Sequence, residues 1–276
     1  MTVLPDSPGF VAELSADDDR RYDPKALLTL LRTFAVVVLR EMMLTPVEQV
    51  ELTRGLGEPQ VDPDTYNRHP DNPELFVVDN FGDTPVVGNN DWHTDGSFLR
   101  QPVRYTMLRA VSLPPSGGDT LYADLQTAYE RMPSQWRDAL AGAMGLHTYD
   151  RIAAKRAEAH NNPAVLAAGS TPAPVRHPII RAHPDTGAPV LFVNELCLAR
   201  IESGDGSPVE LSVADLIAHA TQNQFVYRHQ WAPGDVVVWD NARALHRSDF
   251  TAPLVRVMHR TTTEGDIPSG YEAGAK

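Results

Sequence analysis

The chain has 276 residues, 42% hydrophobic and 22% charged, which is typical of a folded globular protein rather than of a disordered or fibrous one. Its 36 acidic and 24 basic residues leave a net charge of -12, which would repel a phosphate backbone, so we expect no nucleic-acid partner. The only cysteine, Cys197, excludes an internal disulfide and is predicted to be a small buried hydrophobe. No apolar run approaches the roughly 18 residues that span a bilayer, so we expect a cytoplasmic protein without a membrane partner.

The N-terminal third alternates apolar runs with polar segments. The short β-branched run FAVVVLR (34–40) predicts a buried strand. Thr45 is predicted to cap a helix through PVEQVELTRGLG (46–57), which glycine would end. A second apolar run, LFVVD (75–79), follows the polar segment VDPDTYNRHPDNP (61–73), which is typical of a loop.

The middle of the chain predicts two strands and a long helix. VRYTMLRAVSL (103–113) alternates like a half-buried strand, PPSGGD (114–119) turns the chain, and TLYAD (120–124) resumes extended structure. The pattern of DLQTAYERMPSQWRDALAGAM (124–144) is helical. Residues 151–174 give no strong signal and are predicted to form either a lid or a surface excursion.

Short extended segments separated by turn residues dominate the last third. They are RHPII (176–180), APVLFVN (188–194), FVYRHQW (225–231), DVVVWDN (235–241) and LVRVMHRTT (254–262), with one helix predicted near ELSVADLIAHATQ (210–222). Many short strands with few helices favour a mainly β fold with helical additions, a sandwich or jelly roll. We expect a single domain over residues 1–276.

A candidate metal site begins at His93-Thr94-Asp95. Residues two apart on an extended backbone point to the same face, so the imidazole and the carboxylate could share one ion. Two histidines and one carboxylate on one octahedral face suit iron(II) and leave positions open for a cosubstrate and oxygen. We take His246 as the second histidine, because it follows a strongly apolar strand and a tight turn.

Two arginines follow this histidine at even spacing. Arg256 and Arg260 share one face of a strand with Met258 if the alternation is unbroken. An arginine on the inner face of a barrel needs an anion, and its planar fork suits a carboxylate. The pattern therefore indicates an acidic ligand, although a solvent-facing arginine or an internal salt bridge would give the same spacing.

Four ordered motifs carry a resemblance to a known family. WHTDGSF, PPSGGDT, VVVWDNARALHR and VMHRTT look like the taurine dioxygenase and phenoxyacetate dioxygenase family of iron(II)- and 2-oxoglutarate-dependent oxygenases, over about residues 30–265. The resemblance implies a double-stranded β-helix, a cupin-like variant of the jelly roll. By the family's pattern the iron ligands would be His93, Asp95 and His246. Thr120 and Arg256 would hold the distal carboxylate of 2-oxoglutarate.

The resemblance also implies the chemistry. The enzyme would require Fe2+, 2-oxoglutarate and O2, and it would oxidise, most simply hydroxylate, a small substrate with release of succinate and CO2. Related halogenases have a small residue where this chain has Asp95, so a carboxylate there favours oxidation without halide. Trp239 would form a wall near the metal.

The predicted substrate-binding residues come from the same resemblance. Asp62 lies where taurine-oxidising members carry a sulfonate-binding histidine, and Leu196 lies where they carry a substrate-packing phenylalanine. Asn89 aligns with a polar pocket residue, and Arg260 aligns with the arginine that faces the anionic group of the substrate. We therefore predict a small acidic or zwitterionic substrate with its carboxylate on Arg260 and an amine or hydroxyl near Asp62, such as an amino acid or a derivative.

Two other classes of function stay open at this point. A metal-dependent jelly roll that is not an oxygenase, such as a hydrolase or isomerase, has no use for Thr120 together with Arg256. A catalytically silent small-molecule binding protein would tolerate the loss of His93 and Asp95. Exposed sheet edges in such folds often pair, which is compatible with a homo-oligomer such as a dimer.

Overall fold

The computed structural model describes residues 2–3, 9–61, 67–79, 90–159, 171–204, 209–249 and 255–272. Two predicted substrate-binding residues, Asp62 and Asn89, lie outside the described residues, and so do residues 160–170 of the predicted lid. Within the described ranges, no helix combines the length and the apolar character needed to cross a membrane.

The elements are numbered in chain order. The strands are β1 (Thr2–Val3), β2 (Val11–Leu14), β3 (Val36–Leu39), β4 (Phe76–Asp79), β5 (Tyr105–Ser112), β6 (Asp119–Asp124), β7 (Met144–His147), β8 (Val175–Pro178), β9 (Ile180–Ala182), β10 (Pro189–Leu191), β11 (Leu198–Glu202), β12 (Val226–His229), β13 (Val236–Asp240), β14 (Ala244–Asp249) and β15 (Val257–Thr262). The α-helices are α1 (Pro24–Leu31), α2 (Pro46–Arg54), α3 (Leu125–Glu130), α4 (Ser134–Ala139), α5 (Asp150–Ala159) and α6 (Val213–Ala220). Short 3-10 helices occupy Asp19–Tyr22 and Asn223–Phe225.

Two sheets form the centre of the fold. The larger has the strand order β1-β2-β3-β13-β5-β15-β4 and is antiparallel except where β2 lies beside β3. The smaller has the order β12-β6-β14, and two further small sheets have the orders β11-β7-β8 and β10-β9. Because β3 pairs with β13 and β15 pairs with β5, strands from both ends of the chain are neighbours in the larger sheet.

The two central sheets share one buried apolar cluster. Tyr122 of β6 and Ala244 of β14 lie in it together with Val237, Trp239 and Met258 of the larger sheet. Two antiparallel sheets that enclose a common core are the two layers of a jelly roll. The predicted mainly β jelly roll with helical additions is confirmed.

Helices cover the opposite face of the larger sheet. The alternation along β13 sends Val238 to that face, where it lies in a second buried cluster with Leu27 of α1 and Leu52 of α2. Helix α2 begins after Thr45, as predicted. The Thr45 side chain accepts from the backbone N–H of Glu48, whose carboxylate accepts from the backbone N–H of Thr45 in return.

The prediction of one helix over 124–144 is wrong. The helical segment is interrupted at Pro133, resumes at Ser134, and Met144 already lies in β7. Pro133 explains the interruption, because proline has no N–H to donate and disfavours helical backbone at the residue before it. Gly142 then turns the chain toward β7 with a φ of +70°, a conformation that favours glycine.

Two buried histidines, His147 and His177, lie in the small sheet β11-β7-β8. His147 ends β7, is shielded from solvent, and lies against the rings of His177 and Phe192 with centroid distances of 5.2 Å and 5.1 Å. Neither of its ring nitrogens has a hydrogen-bond partner among the described residues. Burial, with His177 and Arg181 nearby, lowers the pKa of His147 to about 3.

We expect His147→Leu to reduce the loss of folding stability in acid. In the unfolded chain His147 takes up a proton below the ordinary histidine pKa of about 6.5, whereas in the folded chain it does so only near pH 3. The free energy of unfolding therefore decreases as the pH falls through this window. For this one residue the loss between pH 7 and pH 5 is about 2 kcal/mol. Urea unfolding at both pH values measures it, and Phe192→Leu, which removes no titratable group from the same cluster, should keep the wild-type difference. An unchanged pH dependence in His147→Leu would contradict the prediction.

Candidate metal centre

A backbone bridge joins the two candidate histidines. His93 and His246 pair as an isolated antiparallel bridge, with N–H···O distances of 2.9 Å from His93 and 2.8 Å from His246. Residues paired directly across antiparallel strands project their side chains to the same side. The two rings accordingly lie 4.2 Å apart, measured between centroids. Two residues far apart in the sequence are thereby held side by side.

Asp95 completes the group. Its Oδ1 lies 3.9 Å from Nε2 of His93, and its Oδ2 lies 3.8 Å from Nε2 of His246. One potential ligand atom from each residue lies within 4.8 Å of the other two. Because metal bonds to nitrogen and oxygen are about 2 Å long, one ion placed between the three side chains can reach all of them. In the part of the chain that the structure describes, no other set of three such side chains converges in this way.

The protonation states suit metal binding. Nδ1 of His93 lies 2.9 Å from the carbonyl oxygen of Asp91, which can only accept, so Nδ1 carries the proton and Nε2 keeps its lone pair. Burial lowers the pKa of His93 and lowers that of His246 to about 3. Burial alone would raise the pKa of Asp95, but His246 and Arg260 outweigh it and bring the value to about 2. At neutral pH the group is therefore two neutral imidazoles and one carboxylate.

A closed set of polar contacts supports Asp95. Thr106 on β5 donates its hydroxyl to Oδ2 of Asp95 at 2.7 Å, and Asn241 donates from Nδ2 to the Thr106 oxygen at 2.8 Å. The Asn241 carbonyl accepts from the backbone N–H of Asp95 and from Nε1 of Trp239, both at 3.1 Å. Partners of this kind orient metal ligands and hold them in place. All four side chains are buried.

Sequence reasoning missed Thr106 and Asn241 as members of this group. Asn241 lies in the quoted motif VVVWDNARALHR, and Thr106 alternates on β5 with Met107, which lies on the outer face of the sheet. Period-two alternation could therefore have placed Thr106 on the inner face, but nothing in the sequence connects it to Asp95. Trp239, predicted as a wall near the metal, lies 4.7 Å from the His246 ring between centroids.

Helix α5, the first part of the predicted lid, is tied to the metal-binding loop by charge. The carboxylate of Asp91 pairs with Lys155 and, at 3.5 Å, with Arg151. Arg151 also donates to the backbone carbonyl of Glu195 at 2.5 Å. The Glu195 carboxylate in turn accepts from the backbone N–H of Trp92 at 3.0 Å. These contacts join α5, the loop before the candidate ligands and the loop after β10.

A pocket of hydrogen-bond donors lies on the same side of the smaller sheet. Thr120 of β6 and Arg256, just before β15, are both buried, and Nη2 of Arg256 lies 3.5 Å from Oγ1 of Thr120. Trp231 donates from Nε1 to the same oxygen at 3.0 Å. Burial lowers the pKa of Arg256 to about 10, which leaves the guanidinium charged at neutral pH. The structure brings together the predicted pair Thr120 and Arg256, and their donors suit a carboxylate.

The two remaining predicted residues within the described ranges differ in position. Arg260 of β15 extends to the metal centre, with Nη1 at 3.7 Å from Oδ1 of Asp95 and its guanidinium 4.7 Å from the Phe76 ring centroid. Leu196 is buried in the loop after β10, where its backbone N–H donates to Oδ1 of Asn194 at 2.9 Å. Its role in packing a substrate stays a prediction.

Comparison with known proteins identifies similar chains. The family model described as "Taurine catabolism dioxygenase TauD, TfdA family" matches residues 4–262. The alpha-ketoglutarate-dependent 2,4-dichlorophenoxyacetate dioxygenase of Burkholderia sp. (strain RASC) is 34% identical over 257 residues, 84% of this chain and 82% of the relative. The pentalenolactone F synthase of Streptomyces avermitilis is 31% identical over 223 residues, 74% of this chain and 73% of the relative. The crystal structure of a taurine dioxygenase from Burkholderia xenovorans matches with a TM-score of 0.74 and 28% identity, covering 95% of this chain and 88% of that one.

We expect Thr106→Val to weaken divalent metal binding about ten-fold or more, because the carboxylate of Asp95 loses the hydroxyl that orients it. Anaerobic competition between the protein and a chromophoric chelator for Fe2+ or Mn2+ measures the affinity. Thr94→Val is the matched control, since it removes an equally buried hydroxyl between the ligands that has no hydrogen-bond partner among the described residues. Equal affinities for the two variants would refute the role of Thr106.

Proposed function

The chain belongs to the taurine catabolism dioxygenase TauD, TfdA family and is an iron(II)- and 2-oxoglutarate-dependent dioxygenase, and we propose that its iron ligands are His93, Asp95 and His246. The observation that carries this assignment is the convergence of the three potential ligand atoms within 4.8 Å of one another, with Asp95 and His246 buried. Two neutral imidazoles and a carboxylate are a ligand set that suits iron(II) and leaves coordination positions free for a cosubstrate and oxygen.

The bound iron, with 2-oxoglutarate and O2, supplies the oxidation of a substrate C–H bond coupled to the conversion of 2-oxoglutarate to succinate and CO2. The residues of the chain bind and orient the reactants. Asp95 contributes the one negative charge among the ligands, and Thr106 with Asn241 keeps its carboxylate in place. No side chain is needed as a general base. The carboxylate at position 95 favours oxidation over halogenation.

Thr120 and Arg256 are proposed to hold the distal carboxylate of 2-oxoglutarate. The Thr120 oxygen already accepts from Trp231 and lies within reach of Arg256, so its own proton is directed elsewhere. No described residue accepts that proton, and a carboxylate beside Arg256 would do so. The buried guanidinium supplies the matching positive charge.

We propose that the substrate is a small acid with its carboxylate on Arg260. Nη1 of Arg260 is 3.7 Å from Oδ1 of Asp95, so a substrate carboxylate bound to Arg260 would lie close to the proposed iron site. The carbon that is oxidised would then be only a few bonds from that carboxylate. The relative from Burkholderia sp. is named for 2,4-dichlorophenoxyacetate, which is itself a carboxylate. We also propose that the substrate carries an amine or hydroxyl near Asp62, as an amino acid would, and that Asn89 is a polar residue of the same substrate pocket.

The other functions that the sequence left open are less well supported. A metal-dependent hydrolase or isomerase would leave the donor pocket of Thr120 and Arg256 without a use. A silent binding protein would not need the polar contacts that fix Asp95. A cytoplasmic location, the absence of a nucleic-acid partner, a single domain and a homo-oligomeric state remain proposals.

Anaerobic titration of the Fe2+-loaded protein with 2-oxoglutarate tests the cosubstrate assignment. A keto acid chelated to iron gives a weak visible charge-transfer band, which we expect in the wild type. Arg256→Ala should raise the 2-oxoglutarate concentration needed for half-saturation by about 30-fold or more, because it removes the charged partner of the carboxylate. Its Fe2+ affinity should stay unchanged. A band that is absent from the wild type, or that Arg256→Ala leaves unchanged at limiting 2-oxoglutarate, would disprove the assignment.

Arg260→Gln separates substrate binding from cosubstrate binding. We expect it to lower kcat/KM for carboxylate substrates by about 30-fold or more, while the anaerobic 2-oxoglutarate titration stays as in the wild type. Succinate formation over a panel of small acids, including amino acids, identifies the substrate. The neutral amide of the best acid is the matched control, since it should respond little to Arg260→Gln. An equal effect on the acid and the amide would count against a carboxylate on Arg260.

A further inference from the structure

Tyr122 is a neighbour both of the candidate ligand His246 and of Thr120 in the donor pocket. In β6 it is two residues from Thr120, and in the pairing of β6 with β14 it stands directly opposite His246. Its side chain is fully buried, and its ring lies 5.4 Å from the Trp239 ring and 6.2 Å from the His246 ring between centroids. The proposed function assigns it no role.

The hydroxyl of Tyr122 has no hydrogen-bond partner among the described residues. Buried polar groups are nearly always hydrogen-bonded, so an exception in a site of this kind requires an explanation. Burial raises the pKa of Tyr122 well above its usual value, so the phenol keeps its proton and can donate. Because side chains two residues apart on a strand share a face, Tyr122 is on the same face of β6 as Thr120, and its ring is beside that of His246.

Neither group of the donor pocket offers an acceptor to this phenol. Thr120 accepts from Trp231, and Arg256 is only a donor. The phenol, the threonine hydroxyl and the guanidinium therefore form a set of donors on the inner face of the jelly roll. A ligand rich in acceptors, lying between the iron ligands and Arg256, would satisfy them together.

We propose that the Tyr122 hydroxyl is a third protein donor to bound 2-oxoglutarate, beside Thr120 and Arg256. The inference rests on the proposed function, because it takes 2-oxoglutarate to lie between the metal centre and Arg256. The ring is held by Trp239 and His246 on the inner face, so the hydroxyl is in place before the ligand arrives. A donor fixed in this way loses little conformational freedom on binding.

Tyr122→Phe removes only the hydroxyl and tests the proposal. We expect the dissociation constant of 2-oxoglutarate to rise about ten-fold, as for the loss of one hydrogen bond to a charged group. Two readouts apply: the visible band of the anaerobic Fe2+ complex and calorimetric titration of the Mn2+-loaded protein, which is not turning over. The Fe2+ affinity measured by chelator competition should not change.

Tyr227→Phe is the matched control. It removes a phenol hydroxyl from the neighbouring strand β12, where the Tyr227 ring lies 6.5 Å from that of Tyr122 between centroids. That hydroxyl already has a protein partner, Nδ1 of His229 at 3.1 Å. We expect its 2-oxoglutarate affinity to match the wild type.

Thermal unfolding without ligand completes the test. A hydroxyl without a protein partner can be removed at no cost, so Tyr122→Phe should unfold at or above the wild-type temperature. A lower temperature or failure to fold would show that the hydroxyl has a structural role, and the proposal would fall. So would wild-type 2-oxoglutarate affinity in Tyr122→Phe, or an equal loss in Tyr227→Phe. If the wild type itself does not bind 2-oxoglutarate, the proposed function fails and this inference fails with it.

Discussion

The pair of backbone hydrogen bonds between His93 and His246 is the constraint on which the site depends. It attaches the loop before β5 to strand β14, so the two imidazoles are placed by main-chain geometry rather than by the metal. Asp95 is separated from His93 by one residue, and its carboxylate oxygens come within 4 Å of Nε2 of both rings. Sheet pairing therefore brings the side chains of the candidate metal centre together.

Burial makes this arrangement specific. Burial lowers the proton affinity of both imidazoles, and the carboxylate of Asp95 keeps its charge, so at neutral pH the protonation states of the candidate site suit a divalent cation. The donor pocket around Arg256 has the opposite preference, for an anion. A molecule with a chelating end and an anionic end matches both, and the jelly roll holds the two sites on one face.

Local patterns predicted much of the fold. The β-branched run at 34–40 and the Thr45 cap carry their own signals, and both were confirmed. The prediction of one helix over 124–144 was wrong because the apolar periodicity continues across Pro133, whereas a proline cannot donate the backbone hydrogen bond that a continuous helix needs. Residue spacing suggested His93 and Asp95 as a pair, local context suggested His246, and the family motifs added Thr120. Thr106 and Tyr122 could not be found in this way, because their roles depend on contacts across strands.

Helix α5 is connected to the candidate ligand His93 through one residue. Asp91 uses its backbone carbonyl to fix the tautomer of His93 and its carboxylate to anchor Lys155 and Arg151 of the helix. One residue thus serves the metal ligand and the surface helix at once. A displacement of α5 from this loop would break ion pairs at the residue whose carbonyl determines which ring nitrogen of His93 carries the proton. The position of α5 and the orientation of a candidate metal ligand are therefore linked through a single aspartate.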